Sequence, residues 1–169
     1  MTPPEVAGER GGRCRAASVG FRTAASLPAD GDQNVIAPTM LAQAALPHLR
    51  RSHGSIINVS STYGHRPQPG AAHYAASKEL TRTWALELAK DGVRVNSVAP
   101  GPTESEALSL SGLTEEDVTR VKKEQAAQIP LGRRGEPEEV ASWIVRFADP
   151  TSTWLTGQIL TIDGGLELV

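Results

Sequence analysis

Cysteine is nearly absent: Cys14 is the single one among 169 residues. That excludes an internal disulfide, and no Cys/His group has the spacing of a metal site. A reducing, intracellular setting is the expectation. Long apolar runs are missing too. None approaches the ~20 residues of a membrane span, and no hydrophobic stretch near Met1 resembles a secretory signal. Charge of one sign is not in excess either. The formal net charge is -2, which gives no basis for a nucleic-acid or membrane-surface partner. The chain reads as soluble and cytoplasmic, and its length predicts one domain with a single core.

Residues 1–30 lack any hydrophobic pattern, alternating or helical. They are rich in Ala, Arg, Gly and Pro, and from Arg10 to Ala29 there is no acidic residue. Arg10, Arg13, Arg15 and Arg22 are basic. Such a composition can mark an organelle-targeting peptide, but the glycines argue against an amphipathic helix. An atypical, disordered segment, or a displaced start or reading frame, is the expectation here. The regular chain, residues 31–169, is predicted to be the folded domain.

The informative stretch runs from Ser55 to Lys78. Ile56-Ile57-Asn58-Val59 reads as a buried strand, closed by Ser60 and Ser61. A loop with Gly64, Pro67, Pro69 and Gly70 follows. A helix is then predicted, with Ala76, Leu80, Trp84 and Leu88 on one face. Tyr74 and Lys78 stand at its entrance, four residues and one turn apart. A free tyrosine ionises near pH ~10, too high for efficient proton transfer at neutral pH. An ammonium one turn away favours the phenolate and lowers that value. A serine hydroxyl opposite could hold a substrate carbonyl or alcohol against the tyrosine. A bare Tyr-x-x-x-Lys is often only an ordinary amphipathic pair; the whole assembly is much rarer.

That assembly resembles the active-site segment of the short-chain dehydrogenase/reductase family. The strand ending Asn58-Val-Ser-Ser61, Gly64, and Tyr74-Ala-Ala-Ser77-Lys78 match as they stand. Of the two serines, Ser61 has the family's spacing to the tyrosine. The resemblance implies Ser61, Tyr74 and Lys78 as catalytic residues and NAD or NADP as cofactor, with Tyr74 and Lys78 also contacting it. It extends upstream to the predicted helix Val35–Arg50, in which Met40, Leu41, Ala44, Ala45 and Leu49 can form a broad apolar face. Pro38 and Pro47 should bend or shorten that helix. Asn34 falls where the family keeps an asparagine that helps hold a relay water behind the lysine; otherwise it is a helix cap.

Downstream, Asp91-Gly92 should stop the catalytic helix, with Gly92 as a left-handed cap. Val93–Val98 alternates as a strand. Pro100-Gly101 follows, and in a parallel α/β sheet ligands gather at the carboxyl ends of strands. The resemblance implies that Pro100 and Gly101 wall the nicotinamide and that Thr103 or Ser105 supplies a hydroxyl to it. Residues 104–130 resemble the family's variable lid. Within it Thr114-Glu-Glu-Asp117 starts a helix as a capping-box variant, with Leu113 and Val118 as its staple. Pro137, Glu138 and Glu139 suit the first turn of the next helix. Its expected buried stripe is Val140, Trp143, Ile144 and Phe147. A last strand ends at Asp163-Gly-Gly165.

Two family features are lacking: the strand, glycine-rich turn and helix that hold the cofactor pyrophosphate on backbone amides, and the Asn-Asn-Ala-Gly segment expected upstream of Asn34. Gly8, Gly11 and Gly12 have neither the spacing nor a strand before them. No acidic or basic residue is placed to choose between NAD and NADP. The expected fold is therefore α/β, a truncated Rossmann-like doubly wound parallel sheet with strands at about 55–60, 93–98 and 158–162 and helices on both faces. Ile56's strand would be left with an unpaired edge, and cofactor binding would be weak or absent. Two readings follow. One is an oxidoreductase interconverting a ketone, 3-oxoacyl thioesters included, and a secondary alcohol. The other is a catalytically inactive remnant serving as an interaction or dimerisation module. Self-association into a homo-oligomer is expected if the chain folds.

Overall fold

The computed structural model describes residues 35–62, 72–106 and 108–169, with backbone alone at 72–79 and 111. Three parallel strands form one sheet: β1 (Ser55–Val59), β2 (Arg94–Pro100) and β3 (Ile159–Ile162), in the order β1-β2-β3. These are the three expected strands. Ile56 pairs with Val95, and Val98 with Leu160. As period 2 dictates, adjacent residues face opposite sides. Val95 joins Ala85, Leu88 and Val93 in one cluster, against which Ile56 and Trp84 pack. Val98 joins Val140 and Phe147 in a second, covered by Ile57, Ile144, Leu160 and Ile162. Helices thus lie on both faces, as a doubly wound sheet requires.

The helices are α1 (Ala37–Ser52), α2 (Ala72–Leu88), α3 (Glu115–Gln128) and α4 (Pro137–Ala148). Gly92 ends the segment after α2 in the left-handed region, at φ 70°. Thr114 caps α3 by accepting a hydrogen bond from the Asp117 amide at 3.2 Å. Glu136 and Glu139 form a reciprocal capping box at the start of α4.

Four expectations are corrected. Pro47 does not shorten α1, which continues to Ser52; only one turn follows it, and Pro38 lies in the first turn, where no amide donor is needed. The broad apolar face of α1 is not buried. Met40 and Leu41 are exposed, and only Leu46 and Leu49 reach the core. Trp143 lies outside the buried stripe of α4, half-exposed with the Arg146 guanidinium 4.8 Å from its ring centre. On α2 the buried line is Thr81, Ala85 and Leu88, because steps of four residues drift by about 40° around a helix of 3.6 residues per turn.

The amino end of the sheet is fastened by Arg94. Its guanidinium donates to the carbonyls of Phe147 at 2.8 Å, Asp149 at 3.1 Å and Leu155 at 3.5 Å. Among the described residues, β1 pairs on one side only, and Val59 is exposed.

Candidate active site

Parallel strands bring their carboxyl ends to one rim, so Ser61, Gly101 and Asp163 follow β1, β2 and β3 on the same side of the sheet. The rim is tied to α2 by Asn58, whose side-chain amide donates to the buried Thr81 hydroxyl at 2.8 Å. Asn58 lies three residues before Ser61, and Thr81 three after Lys78. That one bond therefore sets how the serine's strand end sits relative to the second turn of α2. Tyr74 and Lys78 occupy the first two turns of α2; their side chains, like all of Asn34, lie outside the described residues.

Pro100 is the last residue of β2, and the Gly101 amide donates to the Ile162 carbonyl at 2.9 Å. Position 101 needs glycine for close approach: a Cβ there would lie 2.6 Å from the Asp163 Cβ and 2.8 Å from its Cα. Asp163 in turn caps the final turn, its carboxylate accepting from the amides of Gly165 at 2.9 Å and Glu167 at 2.7 Å. Thr103 donates its hydroxyl to the Gly101 carbonyl at 3.0 Å. Ser105, two residues on, is exposed in a turn. The structure thus brings Ser61 and Gly101 to one small cavity, with Thr103 lining a larger one of ≈ 490 Å³.

Sequence reasoning missed what holds this loop. Pro102 to Glu104 pair with Gly135: the Gly135 amide donates to the Pro102 carbonyl at 3.0 Å, and the Glu104 amide to the Gly135 carbonyl at 2.8 Å. Arg134, 8% exposed, donates to Glu104 Oε1 at 2.7 Å, to the Thr103 carbonyl and to Gln125 Oε1. Lys122 donates to the other oxygen of Glu104. Lys122 and Gln125 come from α3, so one carboxylate and one guanidinium join the loop after β2 to that helix. Hydrogen bonds from Lys122, then Arg134, hold the Glu104 carboxyl below its ordinary range, with partial burial opposing them. The neighbouring Arg133 does something different. It grips Glu139 with two parallel bonds at 2.8 and 2.7 Å on the surface, lowering that carboxyl to about 2, with the Glu136 amide helping. The only sequence signal was the pair of adjacent arginines, which does not tell the buried one from the exposed one.

These residues suit the nicotinamide end of a dinucleotide cofactor. Pro100 and Pro102 give the loop stiff apolar faces, Thr103 supplies a hydroxyl, and the loop stands at the carboxyl end of a parallel sheet, where such ligands bind. This donor set fits the reactive end of the cofactor. No group of three His, Cys, Asp or Glu side chains that could hold a metal occurs among the described residues, and no helix there is long and apolar enough to cross a membrane.

The comparisons agree with this geometry. A family model described as enoyl-(acyl carrier protein) reductase matches residues 17–167. The 3-oxoacyl-[acyl-carrier-protein] reductase FabG of Thermotoga maritima is 43% identical over 131 residues, which cover 75% of this chain and 51% of the relative. The 4-formylbenzenesulfonate dehydrogenase TsaC1/TsaC2 of Comamonas testosteroni is 40% identical over 133 residues, covering 75% and 52%. A short-chain dehydrogenase/reductase of Caenorhabditis elegans, solved with cofactor, superposes with a TM-score of 0.76 at 36% identity, over 82% of this chain and 55% of that one. The chain spans about half the length of the curated relatives it matches. On the matched family model, the shared fold and the identity to these relatives, it belongs to the short-chain dehydrogenase/reductase family.

Proposed function

We propose that this chain carries the catalytic half of an oxidoreductase that interconverts a ketone and a secondary alcohol by hydride transfer, with NAD or NADP as cofactor. The observation that carries the reading is the Asn58–Thr81 bond, which couples the Ser61 strand end to the helix bearing Tyr74 and Lys78. Tyr74 is the general acid in reduction, giving its phenolic proton to the ketone oxygen, and the general base in oxidation. Lys78 lowers its pKa by favouring the phenolate, and the Ser61 hydroxyl donates to the substrate oxygen and orients it. Asn34 holds a water behind Lys78 for the returning proton. Pro100, Gly101, Thr103 and Ser105 flank the nicotinamide. When bound there, that cofactor supplies or accepts the hydride. A 3-oxoacyl substrate is supported by the name of the Thermotoga relative.

The same reading includes a cytoplasmic setting and a homo-oligomer; Ile36, Met40 and Leu41, exposed on or beside α1, support the latter. A second reading, an inactive interaction or dimerisation module, rests on the open edge of β1, which pairs on one side only among the described residues. Titration of the folded chain with NADH and NADPH, followed by cofactor fluorescence, separates the two. Saturable binding, with turnover abolished and binding spared in Tyr74→Phe, supports the oxidoreductase. A folded chain that binds neither cofactor refutes it.

A further inference from the structure

The register of β1 against β2 settles which way its backbone points. The Arg94 amide donates to the Gly54 carbonyl at 3.1 Å, and the Ser60 amide to the Val98 carbonyl at 2.8 Å. In a parallel ladder successive residues turn their amides and carbonyls to the two sides alternately. Ile56 and Asn58 therefore face β2. Ser55, Ile57 and Val59 direct their backbone groups to the open side, where no strand pairs among the described residues. The cover is incomplete as well: β2 is buried from Val95 to Ala99, while β1 is only half-buried and Val59 is 59% exposed. Open edges in soluble proteins are ordinarily blunted by charge, proline or a bulge. Ser55-Ile-Ile-Asn-Val59 has no charge and no proline, and its pairing with β2 runs through successive residues without a bulge.

We infer that this edge pairs antiparallel with the same edge of a second copy of the chain, with Ile57 on the two-fold axis. The inference rests on the dimerisation-module reading and deepens it by naming the partner and the register. Ile57 meets Ile57 of the second copy, and Ser55 meets Val59 on either side of the axis. All three outward residues then sit in pairs that exchange both backbone bonds. A register shifted by two residues leaves Ser55 or Val59 of each copy unmatched. Ile57, which packs on the cluster under α4, gains an apolar neighbour across the axis on the same face. No charge on either strand opposes the approach. A five-residue edge is small beside the ~1,600 Å² of a standard interface, so the dimer dissociates on dilution. Antiparallel pairing puts the two Ser61 rims at opposite ends of the shared sheet.

Sedimentation velocity of the full chain should show an average mass that rises with concentration from one 17.9 kDa chain toward two. Val59→Pro removes only an outward amide, so the bonds to β2 survive. It should weaken self-association by about tenfold or more. The register is read by cross-linking in a Cys14→Ser background. Opposed residues of such a pair have Cα atoms ~5.5 Å apart, within disulfide reach. Ser55→Cys and Val59→Cys chains, mixed and oxidised, should form a covalent dimer. Either variant alone should not, because its two thiols lie ~13 Å apart along the strands. A chain that stays monomeric to millimolar concentration overturns the pairing. So does self-association unchanged in folded Val59→Pro, no cross-link in the mixture, or equal cross-linking in a single variant. If Val59→Pro does not fold, the cross-linking decides alone. Turnover of NADH or NADPH by the dimer would refute the inactive module and leave the edge pairing standing. A monomer without turnover would refute the pairing and leave the chain inactive.

Discussion

Replacing Arg134 with methionine tests how the loop after β2 is held. The side chain is 8% exposed and donates to three acceptors on two segments. Methionine keeps the length and the apolar stem but none of the donors. Loss of the bonds to the Thr103 carbonyl and Gln125 Oε1 costs about 1 kcal/mol each. Glu104 keeps Lys122, and its side chain is 32% exposed, so solvent limits that third loss to about 1 kcal/mol. The total is about 3 kcal/mol, a fall in Tm of roughly 10 °C for a domain of this size. Urea unfolding followed by far-UV circular dichroism measures it, and the slope should stay constant while the midpoint drops. Arg133→Met is the internal control: its pair with Glu139 is exposed, 54% and 45%, so solvent screens it and its loss should shift the midpoint clearly less than that of Arg134. A double-mutant cycle of Arg134→Met with Glu104→Gln should return a coupling of about 1 kcal/mol. If the two arginines cost the same, or if Arg134→Met costs less than ~0.5 kcal/mol, the reasoning is refuted.

Gly101→Ala should destabilise by at least ~1–3 kcal/mol, because the new methyl meets Asp163 backbone at 2.8 Å; Gly135→Ala, whose nearest neighbour would be Thr103 Oγ1 at 3.6 Å, should be far milder. Thermal melts of the two variants side by side decide this. Glu104 and Glu139 both have carboxyl values depressed by folding. Their stabilising contributions are thus fully present above the unfolded value near ~4.3 and are lost as pH falls through the folded one, for Glu139 at about 2. Urea midpoints measured from pH 7 down to pH 2 should fall less steeply in Glu104→Gln and Glu139→Gln than in the unaltered chain; parallel curves would contradict the assignment.

The sheet was legible because its determinants are local. Ile56-Ile57 and Val93–Val98 carry β-branched residues in short runs, and Gly92 and Pro100-Gly101 punctuate them. Tyr74, Lys78 and Ser61 were legible as a pattern of fixed spacing. The faces of the helices were read less well. Trp143 shares its helix with Val140 and Phe147 but sits off their line, and on α1 Leu46 and Leu49 reach the core while Met40 and Leu41 find no cover among the described residues. What escaped altogether depends on distant partners. Arg134 reaches Glu104 across 30 positions, and Gly101 is required by Asp163, 62 residues later.

Arg94 sets an order for how the molecule opens. Its guanidinium spans 53 to 61 positions of chain to reach three carbonyls at the amino end of the sheet. Contacts of that separation require long loops to close first and therefore form late in folding, so their loss should appear as faster unfolding rather than slower folding. Loops at the opposite rim can then exchange their amides through local fluctuations that never reach the strands. Hydrogen exchange would resolve two tiers: a slow one from Arg94 to Val98 and a faster one from Gly101 to Ser105. The chain can change what its rim accepts without loosening the sheet that carries it.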